Sequence, residues 1–242
     1  MQIGITMPVY NEEKSIAELI TEIDKLDFFQ KIIVINDRST DKTAEILANL
    51  TTDKLFVIQN SINMGHGPST LVGLELAINS NLDVIVSIDG DGHFDPLHII
   101  EMTKKLINEN FEVVEGNRTH RDDPWFRKLA SKATRVLVQF RCGESVIDAN
   151  TPIRAYRASA LKKILAKIPS AKYPIPNLFI SATSRRLKLS ISTFDVNVKL
   201  RSSNAPLGSS WKQKHRNIPT TRYIKFCIHA TRAWYFERNS VN

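Results

Sequence analysis

Short apolar runs rich in β-branched residues alternate with amphipathic segments along the first half of this chain. The runs predict strands at 3–9, 31–36, 55–59, 84–88 and 111–115. The segments between them have helical periodicity and predict helices at 12–26, 40–50, 68–79 and 97–108. Strands and helices that alternate at this spacing favour a mostly parallel sheet with helices on both faces. The predicted fold class is therefore α/β.

The second half of the chain departs from this alternation. Helices are predicted at 125–140, 158–166 and, past two prolines, 173–186. A short strand is predicted at 153–156, and the residues 189–200 suggest paired strands, so we expect a small antiparallel extension of the sheet. A polar loop follows at 202–208, and no linker divides the chain into separately folding units.

Composition limits the class of protein and its partners. With 242 residues, 42% of them hydrophobic and 24% charged, the chain suits one globular domain. Its net charge of +8 suits a polyanionic partner, whether nucleic acid, an anionic membrane face or a phosphorylated substrate. The distant Cys142 and Cys227 indicate a reducing compartment. Because the sequence shows no signal-peptide pattern and no apolar run of roughly 20 residues, we expect a cytoplasmic protein, at most peripheral to a membrane.

The apolar run at 84–88 ends in two carboxylates, Asp89 and Asp91, on either side of Gly90. On an ideal strand, side chains at i and i+2 point the same way, so the two carboxylates are expected to converge. Convergent carboxylates suit a hard divalent cation that shares its ligands with substrate phosphates. An ordinary strand-to-turn junction is the alternative, because Asp and Gly also form turns.

Polar residues follow three other predicted strands, at 8–12, 36–41 and 63–67. Parallel strands would gather these ends at one edge of the sheet, where open α/β folds bind nucleotides. Asp37 can accept hydrogen bonds from a base or ribose, and Tyr10 can stack on a base. The glycines within 63–67 allow backbone to approach a ligand closely. Each feature alone favours a turn or a cap, but together they favour a nucleotide site.

The combination of these segments resembles family 2 glycosyltransferases with the GT-A fold. The matching segments are 7–13, 34–43, 63–77, 86–96, 115–118 and 148–156. Residues 116–118 together with 125–131 are similar to the polyprenyl-phosphate branch of that family, the branch of dolichol-phosphate mannose synthase. The resemblance implies a GT-A domain over 1–211, with a nucleotide-sugar-binding half at 1–115 and an acceptor-binding half at 116–211. A basic aromatic segment at 212–242 completes the chain.

The resemblance also implies roles for individual residues on the donor side. It places Asp89 and Asp91 in the D-x-D motif that holds Mg²⁺ or Mn²⁺ against the donor diphosphate. The donor-binding positions that it implies are Pro8, Tyr10, Asn11, Glu12, Asp37, Asn63, Gly65, Asp89, Gly90 and Asp91. The chain departs from the family at Asn36, where a second Asp is usual, and at Arg38, where Gly is usual.

On the acceptor side, Arg118, Arg127 and Ser131 match positions that hold the acceptor phosphate in the polyprenyl-phosphate branch. Arg127 and Ser131 are four residues apart and share a helix face. A solvated basic helix is the alternative. Arg201 matches the arginine before a loop that closes over donor and acceptor. Asp148 would be a general base for a hydroxyl acceptor, or would position metal and acceptor for a lipid phosphate.

Two further features lie outside this core pattern. His93 is a further site candidate, whereas His66 and His98 are interpreted as structural or surface residues. The segment 221–238 interleaves basic and aromatic residues, which suits either an interfacial membrane helix or a helix packed on the domain. The branch often carries membrane helices after its catalytic domain, and this sequence contains none.

The function expected from the resemblance is an inverting, metal-dependent transfer of a sugar from a UDP- or GDP-sugar. The leading acceptor is a polyprenyl phosphate at the cytoplasmic membrane face, where the protein would contact anionic lipid peripherally. The runner-up is a hydroxyl of a surface polysaccharide or glycolipid. A basic nucleic-acid-binding module is disfavoured because the sequence has no recognition helix, zinc spacing or aromatic RNA-binding signature. A nucleotidyltransferase is disfavoured because a basic, Gly-rich triphosphate loop is missing near the N-terminus.

Overall fold

One mixed sheet organises the chain. The computed structural model describes residues 1–119, 124–144, 146–168, 173–197 and 218–236, and within them seven strands form a sheet in the order β3-β2-β1-β4-β6-β5-β7. The strands are β1 (Ile3–Val9), β2 (Lys31–Asn36), β3 (Leu55–Gln59), β4 (Val84–Ser87), β5 (Val113–Thr119), β6 (Arg154–Arg157) and β7 (Ile191–Asn197). The predicted bounds of β1, β2 and β3 are confirmed to the residue.

The strand directions confirm the mostly parallel sheet. β1 pairs in parallel with β2 and β4, and β2 pairs in parallel with β3. β6 runs antiparallel between β4 and β5, while β7 adds to β5 in parallel. The expectation of paired strands at 189–200 is wrong for the described residues, which form the single strand β7. The helices before β7 return the chain to the edge where β5 starts, so β7 extends the sheet in parallel.

Helices cover both faces of the sheet. They are α1 (Ile16–Lys25), α2 (Thr43–Asn49), α3 (His66–Ile78), α4 (Pro96–Asn108), α5 (Trp125–Cys142), α6 (Ala158–Leu165), α7 (Pro176–Arg186) and α8 (Thr221–Phe236). One core lies between the sheet and α1, α2 and α4, and a second lies between the sheet and α3, α6 and α7. β2 serves both: Ile32 and Val34 join the first core, and Ile33 and Ile35 the second.

Two helices, α5 and α8, are more exposed than the helices of these two layers. α5 buries Phe126 and Val138, the latter in a third cluster with α7, and much of the rest of the helix is exposed. α8 exposes Ile224 and Ile228. Among the described helices, none combines the length and apolar composition that a bilayer crossing requires.

Candidate functional site

The loops that follow β1, β2, β3 and β4 meet at one edge of the sheet. The order β3-β2-β1-β4 places a switch point between β1 and β4, because the chain turns one way after β1 and crosses to the other side before β4. We call the loops at 10–15, 37–42, 60–65 and 88–95 the acidic half of this edge. The end of β5 and the residues 146–153 before the reversed strand β6 form the basic half, and α5 follows β5 along the chain.

The loop after β1 is bonded to the loop after β2. The Asn11 backbone N–H donates to Ser39 Oγ (3.0 Å), and Asn11 Oδ1 accepts from the Thr40 backbone N–H (2.7 Å). The Glu12 backbone N–H donates to Thr43 Oγ1 (2.8 Å). These bonds explain why α1 and α2 begin at residues 16 and 43 rather than at the predicted 12 and 40. Asn11 and Glu12 therefore join the loop after β1 to the loop after β2.

Asp37 holds the loop after β3. Its side chain is buried, and its oxygens accept from the Met64 backbone N–H (2.8 Å), the Gly65 backbone N–H (2.8 Å) and Asn60 Nδ2 (2.9 Å). Asn63 Nδ2 donates to the Asp37 carbonyl oxygen (3.1 Å). Gly65 has φ of 92°, a conformation that favours glycine. The Asp37 carboxylate thus shapes the loop, and its contact with a base or ribose stays a prediction.

Of the two departures from the family pattern, the structure explains Asn36 and leaves Arg38 without an explanation. Asn36 is buried, donates from Nδ2 to Gln59 Oε1 (2.7 Å) and accepts from Ser39 Oγ (2.6 Å). Its amide uses both a donor and an acceptor, which an aspartate could not supply. Arg38 has φ of 62°, in the left-handed region, so the glycine usual at this position would be unstrained there.

Asp89 and Asp91 lie in the turn beyond β4, which ends at Ser87. The expectation that strand periodicity aligns the two carboxylates is therefore wrong, because the strand stops before both residues. The Gly90 backbone N–H donates to the Pro8 carbonyl oxygen (3.3 Å), and a Cβ at position 90 would collide with Val9. This close approach to the end of β1 needs glycine.

Each of these carboxylates has a histidine partner. His66 Nε2 lies 2.7 Å from Asp89 Oδ1, and His93 Nδ1 lies 2.7 Å from Asp91 Oδ2. Partial burial of the His66 ring opposes its protonation, but the carboxylates of Asp89, Asp91 and Asp37 outweigh this and raise the pKa of His66 above its ordinary value. The acidic half therefore has a negative potential that attracts cations.

The basic half contains a bidentate ion pair. Arg118 on β5 donates from Nε to Asp148 Oδ2 (2.6 Å) and from a terminal nitrogen to Asp148 Oδ1 (3.1 Å). The same terminal nitrogen donates to the Asn150 carbonyl oxygen (3.3 Å). The pairing of an arginine fork with a carboxylate fixes both groups in orientation. The sequence predicts Arg118 and Asp148 as separate site candidates, and in the structure they form an ion pair.

A buried charge network lies beneath this pair. Glu115 accepts from Arg185 (2.8 Å) and Ser181 Oγ (3.0 Å) and lies 3.4 Å from Arg154 Nε. Arg154 also donates to the carbonyl oxygens of Ala149, Thr151 and Asn177 and to Ser181 Oγ. Burial alone would raise the pKa of Glu115, but the two arginines and Ser181 hold it below its ordinary value. The network ties the loop before β6 to α7.

The remaining acceptor-side candidates lie on α5 or outside the described residues. Arg127 and Ser131 lie on the first turns of α5 and are both half-buried, whereas Lys128 and Lys132 are exposed. Arg201 and the loop at 202–208 lie outside the described residues. The structure thus brings the β5 end and the residues before β6 into direct contact, and it places Arg127 and Ser131 on the helix that follows.

Residues 5–165, about two thirds of the chain, match the family model described as Glycosyl transferase family 2. The chain belongs to this glycosyltransferase family. Its relatives include the undecaprenyl-phosphate 4-deoxy-4-formamido-L-arabinose transferase of Edwardsiella ictaluri, 29% identical over 170 residues, 67% of this chain and 51% of that protein. The chain thus spans about half the length of that relative. The UDP-N-acetylglucosamine–dolichyl-phosphate N-acetylglucosaminyltransferase of Methanococcus voltae is 26% identical over 190 residues, 71% of this chain and 75% of that protein.

Solved structures agree on the fold of this glycosyltransferase. Glucosyl-3-phosphoglycerate synthase from Mycobacterium tuberculosis, in complex with UDP, has a TM-score of 0.69 at 18% identity and covers 98% of this chain and 79% of its own. Another structure of that enzyme holds Mn²⁺, UDP and glucosyl-3-phosphoglycerate, with a TM-score of 0.68 at 17% identity, 98% coverage of this chain and 79% of its own. The likeness confirms the GT-A fold.

The acidic half suits a divalent cation that completes its shell with other ligands. The side chains of Asp89 and Asp91 are 28% and 24% exposed, so both are within reach of a ligand. Among the described residues, no group of three or more His, Cys, Asp or Glu side chains forms a fuller set. One or two carboxylates with substrate phosphates and water are the usual environment of Mg²⁺. The residues of this glycosyltransferase therefore fit Mg²⁺ or Mn²⁺ held jointly with a donor.

Sequence reasoning missed two parts of the site. It set His66 aside, although the structure places its ring against Asp89. It also missed the network of Glu115, Arg154 and Arg185, whose sequence signal is a glutamate within the apolar strand β5. A charged residue in such a strand indicates a buried partner, but the partners lie 39 and 70 residues away.

Proposed function

We propose that this glycosyltransferase moves a sugar from a UDP- or GDP-sugar to a polyprenyl phosphate, with inversion at the sugar carbon. The observation that carries the proposal is the division of one sheet edge into an acidic half, with Asp89 and Asp91, and a basic half, with Arg118. A metal-bound diphosphate suits the first, and an anionic acceptor suits the second. The relatives named for undecaprenyl phosphate and dolichyl phosphate support this acceptor class.

On the donor side, Asp89 and Asp91 would hold Mg²⁺ or Mn²⁺. The ion would neutralise charge that develops on the diphosphate as the bond to the sugar breaks. The loops fixed by Asn11, Glu12 and Asp37 would form the walls of the nucleoside pocket. Pro8, Tyr10, Asn63, Gly65 and Gly90 would complete the donor-binding set, because all of them lie at the ends of β1, β3 and β4.

On the acceptor side, Arg118, Arg127 and Ser131 would bind the acceptor phosphate. The loop after Arg201 would close over donor and acceptor. A phosphate monoester is ionised near neutral pH, so it can attack without a general base. Asp148, already engaged by Arg118, would position that arginine rather than remove a proton.

The bond changes balance without a proton transfer. A phosphate oxygen of the acceptor forms a bond to the anomeric carbon from the face opposite the leaving group. The bond between that carbon and the donor diphosphate breaks, and the nucleoside diphosphate leaves with the electron pair. The glycosyl phosphodiester remains on the lipid. The catalytic domain would extend over 1–211, with the protein held peripherally at the inner membrane face.

The test separates donor binding from transfer. Thermal unfolding is measured with UDP and GDP, each with and without Mn²⁺ or Mg²⁺, and transfer from a panel of UDP- and GDP-sugars to a polyprenyl phosphate is measured in parallel. We expect a metal-dependent rise in Tm with one nucleotide, since a ligand that binds the native state stabilises it. Asp91→Asn should lose that rise and lower kcat about 10³-fold, because the leaving diphosphate loses its neutralising ion.

Two variants complete the design. Asp53→Asn changes an exposed carboxylate far from the site edge and should match the wild type. Arg127→Ala should keep the nucleotide-dependent rise in Tm and lose transfer. Wild-type rates in Arg127→Ala and in Arg118→Ala would overturn the lipid-phosphate acceptor, and transfer to a glycan hydroxyl in its place would establish the alternative acceptor class.

A further inference from the structure

α5 exposes a row of large apolar side chains. Trp125, Leu129, Val136 and Phe140 are 59%, 60%, 43% and 88% exposed. At 100° per residue they fall within an arc of about 60°, and the row is about 22 Å long. Monomeric soluble proteins rarely expose a contiguous apolar row of this kind, and such rows mark interaction sites.

The rest of α5 shows that this row faces away from the domain. Val138 is buried in the cluster formed with α7, and Cys142 Sγ donates to the Ala182 carbonyl oxygen on α7 (3.4 Å). Arg127 and Ser131 are half-buried and lie on the same side as Val138. The helix therefore has one side that packs on the domain and carries Arg127 and Ser131, and an opposite side that is apolar and exposed.

A basic row borders the apolar one. Lys128, Lys132 and Arg135 are exposed and lie along the neighbouring 60° of the helix surface. The helix sequence contains no acidic residue between Trp125 and Cys142. An apolar row with aromatic residues and a flanking row of Lys and Arg is the pattern of a helix that lies in the interface of an anionic bilayer. Each basic residue near such a surface adds electrostatic attraction.

We propose that α5 docks on a bilayer that contains anionic lipid, with the row of Trp125, Leu129, Val136 and Phe140 in the headgroup region. The proposal rests on the proposed function for its biological sense, because a polyprenyl phosphate presents its phosphate at that same depth. The helix that touches the bilayer also carries Arg127, so docking brings the acceptor-binding side chain to the acceptor. This surface is distinct from the segment 221–238 considered from the sequence.

The test uses flotation of the full chain with vesicles of 30% phosphatidylglycerol in phosphatidylcholine, and with vesicles of phosphatidylcholine alone. The wild type should float with the anionic vesicles and less with the neutral ones. Leu129→Ser/Phe140→Ser should lower binding at least tenfold, since two apolar side chains no longer leave water. Lys128→Gln/Lys132→Gln should lower binding to the anionic vesicles only, with a weaker salt dependence. The control Phe56→Ser/Leu97→Ser removes one exposed Phe and one exposed Leu elsewhere and should bind as the wild type does.

A second measurement keeps docking separate from catalysis. Transfer to a short-chain, water-soluble polyprenyl phosphate is measured without vesicles, and transfer to a long-chain acceptor is measured in vesicles. Leu129→Ser/Phe140→Ser should keep the first rate and lose most of the second. Flotation of this variant at the wild-type level would overturn the docking proposal even if transfer to the soluble acceptor is intact. If the wild type docks through α5 but transfers sugar to neither acceptor, the proposed function is overturned and the docking proposal stands.

Other occupants of this surface are also outcomes of the test. Light scattering that shows a wild-type dimer, dissociated by Leu129→Ser/Phe140→Ser, with no flotation of either, would assign the row to a second copy of the chain. If the full chain binds random oligonucleotides through α5 in a salt-sensitive way and does not float with vesicles, this surface is assigned to nucleic acid. Either result would overturn the proposal.

Discussion

The two halves of the site edge are held together by different forces. In the acidic half, the buried Asp37 is bonded by neutral donors, the backbone N–H groups of Met64 and Gly65 and the amide of Asn60. In the basic half, Glu115 is shared between two arginines, Arg154 and Arg185. The acidic half is a set of loops fixed by hydrogen bonds, and the basic half is a set of helices and strands joined by buried charges.

This difference teaches where each half is vulnerable. A carboxylate that is bonded by neutral donors loses about 1–3 kcal/mol when one donor is left unsatisfied, because the other bonds remain. A buried ion pair depends on both partners, since removal of one leaves an uncompensated charge in a medium of low dielectric constant. We therefore expect substitutions in the basic half to cost more free energy of unfolding than equivalent substitutions in the acidic half.

The largest effect is expected for Arg154→Met. The substitution removes a fully buried guanidinium and leaves the carbonyl oxygens of Ala149, Thr151 and Asn177 without their donor. The free energy of unfolding should fall by about 3–5 kcal/mol, which lowers Tm by about 10 °C in a protein of this size. Arg157→Met, on the same strand but only half-buried, is the matched control and should cost less than about 1 kcal/mol. Equal losses in the two variants, measured by urea unfolding, would remove the contrast between the halves.

A smaller effect is expected for Asp37→Asn. The amide keeps one acceptor oxygen and turns an NH₂ group toward donors, so one of the bonds to Met64 or Gly65 is lost. We expect a loss of about 2 kcal/mol and weaker nucleotide binding, because the loop at 60–65 loses its anchor. Thermal unfolding and nucleotide titration measure the two consequences. Asp53→Asn serves as the control, and a loss larger than that of Arg154→Met would reverse the comparison.

The smallest effect concerns how the free energy of unfolding changes at acidic pH. Because the pKa of Glu115 is held below its ordinary value in the folded protein, its ionised form stabilises the fold above about pH 4.3, the ordinary value for Glu. This contribution is lost as pH falls below that value toward the folded pKa, with a slope of at most about 1.4 kcal/mol per pH unit. Glu115→Gln removes the titrating group, so its urea midpoint should fall less steeply between pH 5.5 and 3.5 than that of the wild type. Parallel slopes would show that Glu115 does not govern acid stability.

Much of the fold follows from the sequence because apolar β-branched runs specify strands directly. The strands β1, β2 and β3 begin and end where the pattern predicts. Helix starts are less well predicted, since the polar residues before α1 and α2 are used in bonds between loops rather than in helical turns. The single strand at 191–197 also escapes prediction, because its direction depends on the path of α6 and α7.

The sequence predicts which edge of the sheet carries the candidate site, but it does not predict which side chains pair with each other there. Parallel strands bring their polar ends together, so the neighbourhood of Asn11, Asp37 and Asp89 follows from topology. The pairing of Arg118 with Asp148, and of Glu115 with Arg154, joins residues 30 and 39 positions apart. Such pairs depend on how β5 and the reversed strand β6 lie side by side, which no local pattern encodes.

The reversed direction of β6 makes the residues between β5 and β6 an exchangeable module. The chain leaves its pairing with β6 after Glu115 and returns to it at Arg154, and these two residues are register partners in the antiparallel pair. The ion pair of Arg118 with Asp148 joins the two ends of this segment. A segment whose two ends lie side by side can be lengthened, shortened or replaced during evolution without a change in strand order. Variation within this single stretch of chain would change the basic half of the site edge while the order of the strands stays the same.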